Sequence, residues 1–320
     1  MSRGKLLSII VVNWKVRDLL RECLRSTFDN TRLPRTAYEV VVVDNDSGDG
    51  SVEMVATEFP QVILIANHDN VGFGAANNQA MAQCHGRWIL LLNPDTIVRQ
   101  GAIDCMLEKM EAEPDVAVLG CRLENGDGTL QKWTGGAFPN FWNLVNHYFF
   151  LDRLLPAAWR PAPLYLDRDV QEDVAVGWVS GACMLLRRDV VGEEIFSPYF
   201  FMYGEDMELC YRMHKAGHKV IYTPAASIVH FQGESMKQQQ GEIMLSSLKG
   251  PRQFYMMTHG RGAIFMFDWI TLSGFLLRWL LFSIAGLSGK ERMRERAASS
   301  WRYTQIIRRL MCVDKGGAAI

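Results

Sequence analysis

The N-terminal part of the chain alternates between short, almost purely apolar runs and longer segments in which apolar residues recur at helical spacing. We predict strands and helices at these positions: strands 6–12, 39–43, 62–66 and 88–92, and helices 18–30, 53–58 and 74–84. Continuous apolar runs indicate strands that are buried on both faces, and strands that alternate with helices form parallel sheets. The pattern therefore predicts an α/β fold, with a mostly parallel sheet flanked by helices.

The pattern becomes less regular after residue 120. Glycine-containing segments at 124–128 and 133–136 predict a hairpin and a loop. Residues 140–169 are rich in aromatic residues and proline and have no clear period, so we interpret them as a variable insertion. Residues 219–222 predict an edge strand, and 226–231 a further apolar strand.

The C-terminal apolar segment, residues 262–287, is long enough to cross a bilayer. Asp268 and Arg278 lie within it, and a charge near the bilayer centre costs about 2.5–3.5 kcal/mol. Two tryptophans, Trp269 and Trp279, and the basic residues that follow favour a helix lying at the interface of an anionic leaflet. A buried helix, an oligomer-forming helix and a membrane span remain alternatives.

Charge and cysteine content exclude some classes of protein. The formal net charge of −1 argues against a nucleic-acid partner, which would require a broad basic surface. Seven cysteines are scattered and never spaced as Cys-x-x-Cys, which favours a reducing compartment over a disulfide framework or a zinc site. The apolar run at 6–12 is short, rich in β-branched residues and lacks a small-residue cleavage site after it, so it predicts a buried strand and not a signal peptide.

Polar residues follow each of the four N-terminal strands. In parallel sheets ligands bind outside the carboxyl ends of the strands, so these residues are candidate ligand contacts. They are Asn13, Asp44, Asp46, Asn70, Gly72, Asn77 and Asp95. Each also has an ordinary explanation, because Asp, Asn and Gly form turns and helix caps. The glycine spacing of residues 70–78 matches neither a Walker loop nor Gly-x-Gly-x-x-Gly, although it permits a close approach of the backbone to a ligand.

Asp95 carries a stronger signal. It follows a buried-type strand and a proline, in Asn93-Pro94-Asp95, and a hard oxygen ligand at that position suits Mg²⁺ or Mn²⁺ bridging two phosphates. A helix cap is the alternative. His230 ends an apolar run, where a lone histidine is most often a core residue, and the donors Ser235 and Lys237 after it would suit a phosphate.

Residues 203–212 hold three carboxylates, Glu205, Asp206 and Glu208, next to an aromatic run. Acids in a low-dielectric setting acquire pKa values in a catalytic range, whereas acids in the first turn of a helix merely complement its dipole. The small residues Ser180 and Gly181 beside Trp178 would let a sugar-like ligand approach the backbone, and tight packing would explain them nearly as well.

With these motifs in this order, the chain resembles the inverting family 2 glycosyltransferases of GT-A fold, and within that family it looks most like the rhamnosyltransferase-type branch. Seven matching blocks span roughly residues 6 to 260, and their common order is more specific than any single block. The blocks are 8–14, 41–51, 70–78, 90–96, 178–188, 200–212 and 230–235.

The resemblance implies roles for five residues. Asp44 would contact the base or ribose of a nucleotide sugar, and Asp95 and His230 would bind the metal. Asp206 would be the catalytic base, and Glu208 would help to hold a sugar. The other candidates for substrate binding are Asn13, Asp46, Asn70, Gly72, Asn77, Trp178, Ser180, Gly181, Glu205, Ser235 and Lys237. The sequence departs from the family's Asp-x-Asp motif at its first acid, which is Asn93 here and removes one carboxylate from the expected metal site.

The implied function is an inverting transfer that depends on Mg²⁺ or Mn²⁺. The favoured donor is dTDP-L-rhamnose, and the acceptor is a hydroxyl of a glycan or polyprenyl-linked glycan in cell-surface polysaccharide biosynthesis. Residues 1–260 would form the GT-A domain, with a nucleotide-sugar-binding half at 1–120 and an acceptor and catalytic half at 121–260. Residues 261–320 would form a basic helical extension that associates peripherally with the cytoplasmic face of the plasma membrane, and a homo-oligomer is compatible with it.

Two other functions remain open at this stage. A nucleotidyltransferase or nucleotide-sugar pyrophosphorylase shares a nucleotide-binding α/β half, but its Gly-rich basic signature is absent from residues 9–17. A non-catalytic nucleotide-sugar-binding scaffold is the second alternative. The presence of Asp95, Asp206 and His230 argues against it.

Overall fold

The computed structural model describes residues 5–231 and 240–313. The chain divides into two compact units, which are described separately. The first contains residues 5–136 and 165–231, and the second contains residues 137–164 and 240–313.

The first unit is built on a large sheet. The strands of the chain are β1 (Leu7–Asn13), β2 (Tyr38–Asp44), β3 (Ile63–Ala66), β4 (Trp88–Leu92), β5 (Thr96–Val98), β6 (Val116–Glu124), β7 (Gly135–Gly136), β8 (Val174–Ala175), β9 (Trp178–Val179), β10 (Cys183–Arg187) and β11 (Lys219–His230). The helices of the chain are α1 (Arg17–Asn30), α2 (Ser51–Glu58), α3 (Phe73–Met81), α4 (Ala102–Ala112), α5 (Phe141–Phe149), α6 (Arg188–Val191), α7 (Glu205–Lys215), α8 (Gln240–His259), α9 (Ala263–Gly286) and α10 (Glu291–Val313).

The strand order of the large sheet is β3-β2-β1-β4-β10-β6-β11-β5, and β8 pairs with β11 beside this path. Strands β1 to β4 pair in parallel, as do β6 and β11, whereas β10 runs antiparallel to both of its neighbours. Strands β7 and β9 form a separate small sheet. The predicted α/β fold with a mostly parallel sheet is therefore confirmed, with β10 and β5 as antiparallel members.

The core explains why the apolar runs became strands. All seven residues of β1 and all five of β4 are buried, which is possible only when helices cover both faces of the sheet. On one face, α1 packs Leu20 and Leu24 into the same cluster as Ile9 and Leu90. Burial of each such side chain stabilises the fold by about 1.5–3 kcal/mol. The large apolar side chains of β1 and β4 thus hold the strand ends, and the polar residues that follow them, in fixed positions.

The prediction of an edge strand at residues 219–222 was wrong. These residues begin the twelve-residue strand β11, where they pair with β6 on one side and, at Ile221 and Tyr222, with the short strand β8 on the other. The register of β11 against β6 shifts between Thr223 and Ser227, so that Pro224 is accommodated in an irregularity of the ladder. The strand therefore continues past Pro224, although a proline in the sequence usually indicates the end of a strand.

The second unit consists of helices. Residues 141–149, which lie in the segment interpreted from the sequence as a variable insertion, form α5. Asn140 begins this helix with a capping box in which its side chain and that of Asn143 bond each other's backbone N–H. Helix α5 packs closely on α9, because a Cβ at Gly274 would lie only 2.5 Å from Cβ of Tyr148. The helix is short, and the aromatic residues around it obscured its helical spacing in the sequence.

Both charged side chains within α9 have partners inside the second unit. Asp268 accepts two hydrogen bonds from the guanidinium of Arg252 on α8, at 2.7 and 2.8 Å, and both side chains are buried. Arg278 donates to the backbone carbonyls of Tyr148 and His147 at 3.0 and 2.6 Å and stacks on the ring of Phe150. Among the described residues, α9 is the one helix that is long and apolar enough to cross a membrane by length and composition.

The contacts divide the chain differently from the expected boundary at residue 260. Residues 137–164 and helix α8 belong with the C-terminal helices, because α5 packs on α9 and the Arg252–Asp268 pair joins α8 to α9. The assignment of a donor half at 1–120 and an acceptor half at 121–260 stays a prediction.

Candidate active site

At the carboxyl ends of β1 and β2, Asn13 and Asp44 lie side by side. Asp44 Oδ2 accepts hydrogen bonds from Asn13 Nδ2 at 2.7 Å and from Ser47 Oγ at 2.6 Å, and Asp44 Oδ1 accepts from the Ser47 backbone at 2.9 Å. All three side chains are buried. Asp44 therefore braces the turn after β2, while the buried Asn13 Oδ1 has no hydrogen-bond partner among the described residues.

Asp46 differs from Asp44 in exposure and in backbone conformation. It is exposed and has φ of 58°, a left-handed conformation that Asp, Asn and Gly adopt more readily than other residues. Its carboxylate makes no hydrogen bond within the described part of the chain. Asp46 is therefore exposed and available to a ligand, whereas Asp44 is buried and engaged with its neighbours.

The loop after β3 is held by amide side chains and by contact with an aromatic residue. Asn70 Oδ1 accepts from the Gly72 backbone N–H at 2.9 Å and from Asn45 Nδ2 at 3.2 Å. Gly72 has φ of 88°, and a Cβ there would lie 2.8 Å from both the ring and the carbonyl oxygen of Phe201. Only glycine allows this approach, which sets the loop directly against the segment that leads into α7. Asn77 is buried and bonds the carbonyl of Phe73 within its own helix at 2.9 Å.

Asp95 and His230 meet where β5 pairs with β11. His230 Nε2 lies 3.3 Å from Asp95 Oδ1 and 3.3 Å from Asn93 Nδ2, and both Asp95 and His230 are buried. The Phe231 backbone N–H donates to the Asp95 carbonyl at 2.8 Å, which fixes the two residues relative to each other. The sequence separates them widely, and only the pairing of the two strands brings them together.

The described residues contain no group of three or more His, Cys, Asp and Glu side chains that could bind a metal ion. The Asp95–His230 pair nevertheless fits a divalent cation that takes its remaining ligands from a diphosphate. A carboxylate oxygen and an imidazole nitrogen that face each other at 3.3 Å are both electron-rich unless a proton or a cation lies between them. Imidazole and carboxylate ligands both suit Mn²⁺.

The carboxylates of the predicted catalytic stretch start helix α7. Gly204 precedes the helix with φ of 97°, so the chain turns sharply and Glu205 and Asp206 fall in the first turn. Glu205 is buried, and its Oε2 has no hydrogen-bond partner among the described residues. Loss of solvent and the nearby charge of Asp206 raise the pKa of Glu205 to about 8. Glu205 is therefore a neutral acid at neutral pH.

Asp206 is partly exposed and has a different environment. Desolvation raises its pKa to about 6, while hydrogen bonds from backbone N–H groups, including that of Met207 at 2.8 Å, limit the rise. A hydrogen bond from the Gly181 backbone acts in the same direction. The two neighbouring acids thus differ, with Asp206 ionised near pH 7 and able to accept a proton.

Glu208 faces back into the protein. Its Oε1 accepts from Arg212 Nε at 2.8 Å, one helical turn along, and Arg212 also donates to the carbonyl of Ile195. Glu208 Oε2 has no partner among the described residues. In this geometry Glu208 anchors the segment before α7, and its role in holding a sugar remains a prediction.

Strand β10 brings the Asp206 region beside the Asp95 region. Because β10 runs antiparallel to β4, its first residue Cys183 pairs with Leu92, and the Asn93 backbone donates to the Ala182 carbonyl at 2.9 Å. Gly181, whose backbone bonds Asp206, immediately precedes Ala182, so the Asp206 region is linked to Asn93 through one residue. Ser180 bonds the Thr134 carbonyl at 2.8 Å through its backbone, and Trp178 is buried in β9.

The structure gathers the predicted residues of β1, β2, β4, β10 and β11 at one edge of the sheet. Ser235 and Lys237 lie outside the described residues. Two residues of the site were missed from the sequence: Ser47, which bridges Asn13 and Asp44, and Gln131, which contacts the ring of His230. Ser47 could have been found as a turn residue three positions after Asp44, because Asp side chains in turns bond the residues that follow them. No local pattern links Gln131 to a histidine 99 positions away.

Comparison with known proteins gives one family and several relatives. A family profile described as "Glycosyl transferase family 2" matches residues 8–194. The N-acetylglucosaminyl-diphospho-decaprenol L-rhamnosyltransferase of Mycobacterium tuberculosis is 28% identical over 245 residues, covering 72% of this chain and 77% of the relative. The rhamnosyltransferase WbbL of Escherichia coli K12 is 25% identical over 231 residues, covering 70% of this chain and 82% of the relative.

A solved structure supports the fold. A mannosyltransferase from Pyrobaculum calidifontis, in complex with GDP-Man and Mn²⁺, superposes with a TM-score of 0.60 at 16% identity. The alignment covers 95% of this chain and 86% of that chain. At this identity the similarity concerns the fold alone.

Proposed function

The chain belongs to glycosyl transferase family 2, and from this premise we propose that it is an inverting glycosyltransferase that moves a sugar from a nucleoside diphosphate to an acceptor hydroxyl. The observation that carries the proposal is the backbone hydrogen bond from Asn93 to Ala182, because it links the loop whose Gly181 bonds the ionisable acid Asp206 to the strand end that carries Asp95. Family membership argues against the nucleotidyltransferase alternative.

In the proposed reaction Asp206 takes the proton from the acceptor hydroxyl as that oxygen attacks the anomeric carbon. The bond from that carbon to the diphosphate oxygen breaks on the opposite face, so the configuration inverts and the nucleoside diphosphate leaves. A positioned base contributes about 10²–10⁴-fold to such a step. The raised pKa of Asp206, about 6, makes it a stronger base than an ordinary aspartate while leaving it ionised at neutral pH.

Asp95 and His230 would hold a divalent cation, Mg²⁺ or Mn²⁺, which when bound neutralises charge on the leaving diphosphate. Asn93 would contribute a neutral amide beside them, where the family's motif has an acid. Asp46, Asn13 and the loop at 70–78 would bind the nucleotide. In this proposal the donor binds at the ends of β1, β2 and β3, and the acceptor binds at the segment before α7.

The favoured donor is dTDP-L-rhamnose, and the favoured acceptor is a glycan carried on a polyprenyl diphosphate. The names of both relatives, which are 25–28% identical and align over most of their own length, support rhamnose as the sugar, and the name of the Mycobacterium tuberculosis relative supports the polyprenyl-linked acceptor. The dTDP carrier rests on the resemblance to the rhamnosyltransferase branch. The process would be cell-surface polysaccharide biosynthesis. A lipid-linked acceptor would also explain why a soluble sheet unit is joined to an apolar helical one.

We further propose that the second unit lies on the cytoplasmic face of the plasma membrane. The face of α9 opposite Asp268 and Arg278 exposes large apolar side chains, including Phe265, Trp269 and Ile284. Helix α10 exposes six arginines, at 292, 294, 296, 302, 308 and 309, against two glutamates at 291 and 295. An apolar face beside basic side chains suits the interface of an anionic leaflet.

A donor screen tests the function. Nucleoside diphosphate release is measured from dTDP-, UDP- and GDP-sugars, with and without a polyprenyl-linked acceptor, and with and without Mg²⁺ or Mn²⁺. We expect acceptor-dependent release, greatest with dTDP-L-rhamnose, and an inverted anomeric centre in the product by NMR. Transfer from another sugar would refute only the rhamnose assignment, whereas donor binding without transfer to any acceptor would favour a non-catalytic scaffold.

A further inference from the structure

The hairpin that follows β6 delivers one buried polar side chain to the Asp95–His230 pair. Strand β6 ends at Glu124, and the chain turns through the left-handed Gly128 so that the Gln131 backbone bonds the Leu123 carbonyl at 2.9 Å. Gly126 packs against the ring of Phe231, where an added Cβ would lie 2.9 Å from it. The hairpin therefore rests directly on the end of β11, and Gln131 is only 3% exposed.

Gln131 contacts His230 twice. Its Oε1 lies 2.7 Å from Nδ1 of the imidazole, and its Nε2 donates to the backbone carbonyl of the same residue at 3.2 Å. One amide thus fixes both the ring and the backbone of His230. No other described side chain bonds both.

The direction of these hydrogen bonds is set by a series of neighbouring hydrogen bonds that begins at the ionised carboxylate of Asp127. Asp127 Oδ1 can only accept, and the Thr129 hydroxyl donates to it at 2.6 Å, which holds the pKa of Asp127 below its usual range. The same hydroxyl must then accept from Asn125 Nδ2, at 2.9 Å. Asn125 is thereby oriented with its Oδ1 toward Gln131 Nε2, 3.3 Å away.

The orientation of the Gln131 side-chain amide follows from this series of hydrogen bonds. Its Nε2 faces two acceptors, the Asn125 side-chain oxygen and the His230 carbonyl, so its Oε1 must be the atom that faces the imidazole. An acceptor at 2.7 Å requires a proton on Nδ1. In the neutral ring the lone pair is then on Nε2, which points at Asp95 and Asn93.

We propose that Gln131 is a positioning residue for metal binding: it holds the His230 ring in the Nδ1–H tautomer with the Nε2 lone pair beside the Asp95 carboxylate. The inference deepens the proposed function and rests on it for the use of the metal. Partners that orient a ligating histidine in this way typically change metal affinity by about 10–100-fold when they are lost. Here Gln131 also compensates in part for Asn93, which stands where the family's motif has a carboxylate. A metal site with fewer carboxylates depends more on a correctly oriented imidazole.

The variants are Gln131→Met, which keeps the size of the side chain but removes both polar atoms, and Gln131→Glu, which keeps an acceptor for Nδ1–H. Gln171→Met is the matched control at an exposed glutamine. In metal-free protein, two-bond ¹H–¹⁵N NMR correlations report the tautomer of His230, assigned by comparison with His230→Ala. We expect the Nδ1–H form in wild type, Q131E and Q171M, and its loss in Q131M.

Mn²⁺ affinity is measured on the same proteins by the EPR signal of free Mn²⁺, without any turnover. We expect a decrease of about 10–100-fold in Q131M and none in Q171M. A wild-type tautomer or wild-type affinity in Q131M would overturn the proposal, as would a wild type that does not bind Mn²⁺. If Q131M does not fold, loss of the Nδ1–H tautomer in Q131E would overturn it instead. Failure of sugar transfer by the wild type would refute the proposed function without altering these two readouts.

Discussion

Asn78 holds both backbone polar groups of Phe196. Its Nδ2 donates to the Phe196 carbonyl at 2.7 Å, and its Oδ1 accepts from the Phe196 N–H at 3.0 Å. The ring of Phe196 also packs on Phe73, at 5.6 Å between centroids. Helix α3, which follows the glycine loop, is thereby tied to the segment that leads to Asp206, so this loop and the start of α7 share one support.

We expect Asn78→Ala to lower the free energy of unfolding by about 1–3 kcal/mol, because it leaves two backbone groups of Phe196 without partners. Asn78→Asp keeps the acceptor for the Phe196 N–H but sets a carboxylate oxygen against the Phe196 carbonyl, so it should also lower the free energy of unfolding. Chemical denaturation of the three proteins measures the difference. Equal stability of N78A and wild type would show that water replaces the amide fully.

Asp206→Asn should reduce sugar transfer by at least about 10²-fold while donor binding changes little, because the amide cannot take the acceptor proton. Asp189→Asn, at an exposed acid on α6, is the control and should be unaffected. Product formation and donor titration calorimetry measure the two quantities. Near-normal turnover by D206N would remove Asp206 as the base.

The rate of transfer should fall about tenfold per pH unit below about pH 6, because the base acts only when ionised and its pKa is raised from 3.8 to about 6 by desolvation. The contribution of Asp206 to the free energy of unfolding should instead decrease as the pH rises. A carboxyl whose folded-state pKa is raised binds its proton more tightly when folded, so its contribution is present at low pH and lost as pH rises from 3.8 to about 6.

A pH–rate profile at saturating donor, together with unfolding curves over the same range, checks both signs. D206N should abolish this part of the pH dependence of stability. A rate that stays flat down to pH 4 would contradict the assignment.

Gly72→Ala should destabilise the protein more than Gly192→Ala. Both glycines combine a positive φ, 88° and 78°, with an extended ψ, 167° and −162°, a region essentially restricted to glycine, so an alanine is strained at either position by about 1–3 kcal/mol. Only Gly72 adds a clash, since its Cβ would lie 2.8 Å from Phe201, whereas nothing lies within 4 Å at Gly192. Thermal unfolding of the two variants isolates the contact. Equal losses would mean that the Phe201 segment moves away at little cost.

Binding of the full chain to vesicles should require anionic lipid and the exposed face of α9. We expect sedimentation with phosphatidylglycerol-containing vesicles and little with phosphatidylcholine alone, because each arginine near an anionic surface contributes about 1 kcal/mol. Trp269→Glu should weaken binding, and so should Arg308→Glu with Arg309→Glu. Trp133→Glu, at an exposed tryptophan of the first unit, is the control. Binding that no variant alters would refute this docking surface, and resistance to alkaline extraction would favour a membrane span.

The sequence determined the sheet and the order of its polar ends. Continuous apolar runs bury both faces of a strand whatever their neighbours are, and for this reason β1, β2 and β4 lie within one residue of the predicted bounds at each end. The acids that follow the strands were identified for the same reason. Helix α5 was missed because it is short and the aromatic residues around it obscure its helical spacing. Strand β11 was misassigned because a proline interrupts it.

Only the tertiary structure decided which atoms meet. The pairing of β11 with β5 sets His230 beside Asp95, and the antiparallel insertion of β10 next to β4 brings the Asp206 region to Asn93. The sequence alone could not assign Gln131 a role, because a polar residue in a hairpin is ordinarily solvated and its partner is 99 positions away. Local sequence fixes propensity and burial, whereas hydrogen bonds between distant residues depend on strand register, which is settled only when the whole sheet forms.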